Sequence, residues 1–131
     1  MKWFDLEELT HSDTAIAKKI DNTPTEEVKK NLENLVKYVL DPLREMYGKP
    51  IYVNSGYRSE ALNKAVGGSK TSQHVLGMAA DIDTRTRKGN EELFDLIAKN
   101  LSFDQLIDEK DYSWIHVSFD PKRLRNQILH L

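Results

Sequence analysis

The chain has 131 residues, 39% of them hydrophobic and 31% charged, with a formal net charge of -2. That length supports one domain around one core, and the scattered, nearly balanced charge excludes the basic stripe of a nucleic-acid-binding surface. With no cysteine, disulfides and thiolate metal sites are excluded, so any metal has to be held by histidine and carboxylate.

The N-terminal "MKWFDLEELT" turns acidic where a secretory leader needs an apolar stretch, and no segment approaches the length of a membrane span. The expectation is a chain made without a classical signal peptide and without membrane insertion. Residues 5 to 20 read as short helical pieces, with Ser12 capping "DTAIAKKI". "TPTEEVKKNLENLVKYVLDPLREMYGKP" carries the strongest helical signal. Thr23 stands three before Glu26 as a capping box, and Pro24 suits a first helical position. Val28, Leu32, Leu35, Val36, Val39, Leu43 and Met46 form one apolar stripe. Pro42 predicts a kink, and Gly48 with Pro50 predicts the end.

"IYVNS" reads as a short strand, and Ser59 to Val66 as a helix capped by Ser59 and stopped by Gly67 and Gly68. Residues Ala79 to Asp83 alternate like a strand, and "NEELFDLIAKN" is a helix with Asn90 as its cap. "FDQLIDE" and "SWIHVSF" read as an antiparallel hairpin. Contiguous βαβ units are few, so the expected fold class is α+β, with helices packed on a small, mostly antiparallel sheet. The expected organisation is a single domain over 1–131. Its parts are a helical region over 1–50, a site-bearing core over 51–119 and a C-terminal tail over 120–131.

The chemistry concentrates in "SQHVLGMAADID" and "SWIHVSF". In the second, Trp114, His116 and Ser118 share one strand face, and Ile115, Val117 and Phe119 fill the other. That turns His116 toward a polar cleft. Taken singly, His74, Asp81 and His116 are ordinary polar residues on a turn and two strands. Together, two imidazoles and a carboxylate make a catalytic zinc set, which keeps three protein ligands and leaves the fourth position open.

The blocks "SGYRS", "LNKAVGGSKTSQHVLGMAADID" and "WIHVS" resemble the zinc D-alanyl-D-alanine peptidases, the LAS metallopeptidases. These share a fold with lysostaphin-type enzymes and the hedgehog signalling domain. The resemblance covers about residues 51 to 119, and the variant most like this chain occurs in compact phage-type and bacterial peptidoglycan peptidases. It implies a hedgehog/DD-peptidase-like fold with a zinc cleft, and one zinc per chain bound by His74, Asp81 and His116. It implies that Arg58 binds substrate and steadies the developing oxyanion, in place of an ordinary surface ion pair. It sets Ser72 near the substrate backbone, where a plain turn hydroxyl is the alternative. Asp83 shares the strand face of Asp81, either as an acceptor for a ligand histidine's free N–H or as a solvated strand-end residue.

One position departs from the family. Much of it carries a carboxylate three residues before the last histidine as general base, and here that residue is Ser113. If Lys110 to Ser113 form a four-residue loop, Glu109 pairs with Trp114 and Ile107 with His116. Glu109 then shares the face of His116 on the diagonal, and Asp108 points away. Glu109 is the candidate base, against the alternative of a plain hairpin-end charge.

The implied function is zinc-dependent hydrolysis of amide bonds beside D-amino acids in peptidoglycan stem peptides, for wall lysis or remodelling. The bond type is that of a D-Ala-D-Ala carboxypeptidase or an L-Ala-D-Glu endopeptidase. The expected partner is the peptide alone, with no nucleic acid, and the expected state is a monomer. A cytoplasmic or phage-encoded endolysin acting on the bacterial wall fits the missing leader. The competing readings are a catalytically inactive wall-peptide-binding module and a phage structural component.

Overall fold

A computed structural model describes residues 1–131. Two short N-terminal helices, α1 (Leu6–Thr10) and α2 (Asp13–Lys18), are capped by the Asp5 carboxylate and the Ser12 hydroxyl, which accept from Glu8 and Ala15 N–H. Helix α3 (Glu26–Leu35) is capped by Thr25, not by Thr23. The Thr23 hydroxyl donates instead to the Asp21 carboxylate at 2.6 Å, so the local acidic residue takes the group the capping box needed.

A single π-helical turn, Val36–Leu40, leads from α3 into α4 (Asp41–Tyr47). Its widened ring, closed by the Asp41 N–H on the Val36 carbonyl, ends just before Pro42. Proline has no N–H and crowds the carbonyl four residues back, and the looser turn accommodates both without an abrupt break. The inserted residue carries the apolar stripe round to Leu40 and Leu43, both fully buried, and leaves Met46 40% exposed.

The rest of the chain is β1 (Tyr52–Ser55), α5 (Glu60–Ala65), a 3₁₀ turn (Gln73–Leu76), β2 (Ala79–Asp83), α6 (Arg87–Asn100), β3 (Gln105–Glu109), β4 (Trp114–Ser118) and β5 (Gln127–His130). Ser59 caps α5 as the sequence predicts. Helix α6 starts earlier than its sequence signal, with Thr86 as the cap accepting from Gly89 N–H. Asn90 is buried inside the first turn, where its side chain bonds Thr84 N–H and the carbonyl of Tyr112. Its capping chemistry is thus spent on two neighbouring loops.

The strands form one sheet in the order β1-β2-β4-β3-β5. All neighbours are antiparallel except β3 and β5, which are parallel. The C-terminal tail expected over 120–131 therefore contains an edge strand. One sheet face, with Ala80, Ile82, Leu106, Ile115 and Val117, joins the helices in a single buried apolar cluster. The alternation that buries these residues turns Asp81, Ile107, Glu109 and His116 to the opposite face.

Candidate active site and metal centre

His74 sits in the 3₁₀ turn, which the Ser72 hydroxyl caps by accepting from the His74 N–H at 3.2 Å. Gly77 closes the turn with φ 74°, and a Cβ there would fall 2.9 Å from the Val28 carbonyl oxygen. Both the left-handed backbone and the close approach to α3 require glycine. His74 is only 2% exposed. Its Nδ1 lies 2.7 Å from the Gly56 carbonyl, and since a carbonyl only accepts, Nδ1 carries the proton. That leaves the Nε2 lone pair facing Asp81 Oδ1 at 3.3 Å. Gly56 enables the contact, because a Cβ would collide with the Leu9 carbonyl oxygen.

Asp81 and His116 are direct partners in the β2–β4 register, and the β3–β4 register sets Ile107 opposite His116. His116 Nδ1 lies 3.0 Å from Asp81 Oδ1. One ligand atom from each of His74, Asp81 and His116 lies within 4.8 Å of the others, a group that could hold a metal ion. Zinc bonds of about 2.0–2.2 Å in a tetrahedral set separate donors by about 3.3 Å, close to the 3.3 and 3.0 Å at which the two histidine nitrogens lie from Asp81 Oδ1. Burial alone would raise the Asp81 carboxyl, but the hydrogen bond from His116 and the closeness of His74, whose ring attracts the carboxylate when protonated, hold it well below the usual carboxylate range. An anionic oxygen between two imidazole nitrogens suits a cation.

The three donors open into a cavity of about 530 Å³ also lined by Arg58, Ser72, Gln73, Gln105, Glu109, Arg123 and Arg125. Arg58 follows β1, and its backbone N–H donates to the His74 carbonyl. Its side-chain Nε is buried and has no hydrogen-bond partner within the protein. Burial pushes the guanidinium pKa down while Asp81 opposes the shift. Arg58 and Asp81 also line a second cavity of about 480 Å³ that contains His11 and Asp13. The two cavities thus meet at Arg58 and Asp81.

Glu109 pairs with Trp114 as the four-residue loop predicts. It and Asp81 are the two carboxylates lining the larger cavity. Asp108 is buried on the other face and pairs with His130, a residue outside every motif. Lys110, Asp111 and Tyr112 are all left-handed, and the Ser113 hydroxyl donates to the Lys110 carbonyl at 2.6 Å. Ser113 is therefore engaged in the turn.

Ser72 lines the cavity and caps the His74 turn at once. Asp83 lies away from the donor cluster. Its carboxylate accepts from Arg85 N–H and Asn90 Nδ2, while the free N–H of His74 goes to Gly56. Asp83 serves the β2–α6 loop and touches neither histidine. Strand parity set it on the right face, but it sits one residue pair beyond the cleft.

Sequence reasoning missed Arg123, Arg125, Gln73 and the buried Asp104 that ties them together. The weak signal was the alternation of arginines in "KRLRN" after the last core strand.

The sequence pattern of the peptidase M15 family matches residues 2–118. A 44-residue stretch is 48% identical to the zinc D-Ala-D-Ala carboxypeptidase of Streptomyces albus G, spanning 33% of this chain and 17% of that protein. The carboxypeptidase match is local, whereas the family match runs through the helices, the first four strands and all three converging donors; the chain belongs to the M15 peptidases.

Proposed function

We propose that this M15 peptidase is a zinc metallopeptidase that hydrolyses amide bonds beside D-amino acids in peptidoglycan stem peptides. The observation that carries the reading is the convergence of His74, Asp81 and His116 in a cavity that also holds Arg58 and Glu109. The local identity to a zinc D-Ala-D-Ala carboxypeptidase supports the substrate class. We assign one zinc per chain to the three donors. Bound there, zinc supplies Lewis acidity, polarising the scissile carbonyl and making water a stronger nucleophile at neutral pH.

The protein's own groups do the rest. The Gly56 carbonyl fixes the His74 ring, and the paired strands fix Asp81 and His116, so the donors need little rearrangement. Glu109 takes the proton of the attacking water and passes it to the leaving amine nitrogen. Arg58 donates to the carbonyl oxygen as that oxygen gains negative charge. Ser72, on the cavity wall, lies along the substrate backbone. The second cavity, which meets the first at Arg58 and Asp81, leaves room for a peptide that continues past the cut bond. We place the activity at the bacterial wall, in lysis or remodelling.

The test is digestion of purified muropeptides with products identified by mass spectrometry. Cleavage should stop with a chelator and return with added zinc. Zinc-loaded protein that binds these peptides without cutting them would replace the peptidase with a wall-peptide-binding module.

A further inference from the structure

The larger cavity holds more positive charge than this chemistry uses. Arg123 and Arg125 line it from the segment between β4 and β5. Both turn to one carboxylate, Asp104, which is fully buried. Asp104 accepts from Arg125 Nε at 2.6 Å and Nη2 at 3.1 Å, and from Gln73 Nε2 at 2.8 Å. Arg123 Nη2 comes no closer than 3.6 Å, beyond hydrogen-bond reach. One carboxylate thus faces two guanidiniums, and Arg123 is left without a carboxylate in hydrogen-bond reach. The Arg125 side chain is 39% exposed and that of Arg123 55%, so each keeps donors open to the cavity.

A second, independent feature lies beside them. Gln73 is a buried residue lining the same cavity, and its Oε1 has no partner while its Nε2 is held by Asp104. A buried acceptor without a donor is costly to leave so, and it marks a place where a ligand N–H fits. Two guanidiniums beside an amide oxygen match a carboxylate next to a peptide N–H. The second cavity differs, because Val53, Tyr57, Leu62 and Val66 are among its walls and Asp13 adds negative charge.

We propose that Arg123, Arg125 and Gln73 form a carboxylate-binding subsite, pre-set by Asp104, which selects acidic peptides and fixes the direction in which they lie across the donors. The proposal deepens the peptidase reading and rests on it. Because Asp104 already fixes the Arg125 fork, a carboxylate docks with less loss of side-chain freedom than at a free surface arginine. The carboxylate is either an internal one on a γ-linked glutamyl residue or the terminal one of the peptide.

Three synthetic stem peptides distinguish these sources: the parent, one amidated at the internal carboxylate and one amidated at the C-terminus. Their kcat and KM are measured on the zinc-loaded protein, and their Kd by calorimetry on the chelator-treated full chain. Amidation at one position should weaken binding roughly 10-fold, raising KM more than it lowers kcat. The position that responds names the carboxylate. In Arg123→Gln the preference should shrink to about twofold or less, as for a residual exposed charge. Arg125→Lys is the second variant, since Lys keeps the charge facing buried Asp104, and thermal melting confirms its fold. Equal affinity of wild type for all three peptides overturns the subsite, as does an undiminished preference in both variants. If wild type cuts none of them, the peptidase reading falls, and the Kd series still decides the subsite.

Discussion

The two walls of the larger cavity are made in different ways. The donor wall is built from backbone: a capped turn fixed by Gly77 and two strands in direct register bring His74, Asp81 and His116 together. The opposite chemistry, Glu109, Arg123 and Arg125, comes from a hairpin end and a late segment tied down by one buried carboxylate. His74 is almost fully buried, whereas the Arg123 side chain is half exposed. A backbone-built wall tolerates little change, and a wall of side-chain ion pairs can be altered without dismantling the fold. Changes at the first should therefore abolish metal binding, and changes at the second should leave the metal in place while altering turnover or substrate preference.

The sharpest way to separate the walls is Glu109→Gln. It preserves shape and removes the proton acceptor, so zinc content should hold while turnover falls about 10²–10⁴-fold, the usual range for a general base. Asp108→Asn is the matched control on the buried face. It should keep turnover and lower stability by about 1–3 kcal/mol as the contact with His130 weakens. Normal cleavage by Glu109→Gln would move the base elsewhere.

Arg58→Lys comes next. Lysine keeps the charge but loses the planar fork, and turnover should drop roughly 10²-fold with zinc and fold intact. Wild-type kinetics would return Arg58 to an ordinary surface charge.

Gly77→Ala probes the donor wall through its backbone. The φ of 74° and the approach to Val28 leave no room for a Cβ. Stability should fall by about 1–3 kcal/mol in denaturant unfolding, and zinc affinity with it, because the His74 turn shifts. An unchanged unfolding midpoint would show the turn to be tolerant.

The smallest effect concerns acid. Burial pushes the Asp104 carboxyl up, but bonds from Arg125 and Gln73 and the charges of both arginines outweigh it, so its folded pKa is lowered. A lowered folded value means stabilisation that is fully present above the unfolded pKa of about 3.9 and lost as pH falls through the folded value. Asp104→Asn should flatten that part of the stability profile below pH of about 4. An identical acid limb in the variant would contradict the ion-pair account.

The same contrast explains what was legible in the sequence. His74 and Asp81 belong to one short run and His116 follows from strand alternation, but spacing alone singled out no ligand set; the resemblance to the zinc D-alanyl-D-alanine peptidases named the three, and the structure brings them together. The hairpin register was legible too, because a four-residue loop and period-two burial leave one solution. Thr25 replaced Thr23 as a cap because Asp21 competed for the hydroxyl. Asn90 was misplaced because its side chain answers to loops distant in sequence. The π-helical turn, β5 and the Asp104 cluster depend on packing partners that periodicity does not register. Ion pairs across 19 and 21 residues, from Asp104 to Arg123 and Arg125, leave no pattern of their own.

The central claim is that His74, Asp81 and His116 form the metal centre. Titrating zinc into chelator-treated protein by calorimetry tests it most directly, with the His74→Ala, His116→Ala double variant run beside wild type and folding verified by circular dichroism. The account predicts tight uptake of one equivalent by wild type and none by the folded double variant. Undiminished uptake by the double variant, or none by wild type, would contradict it.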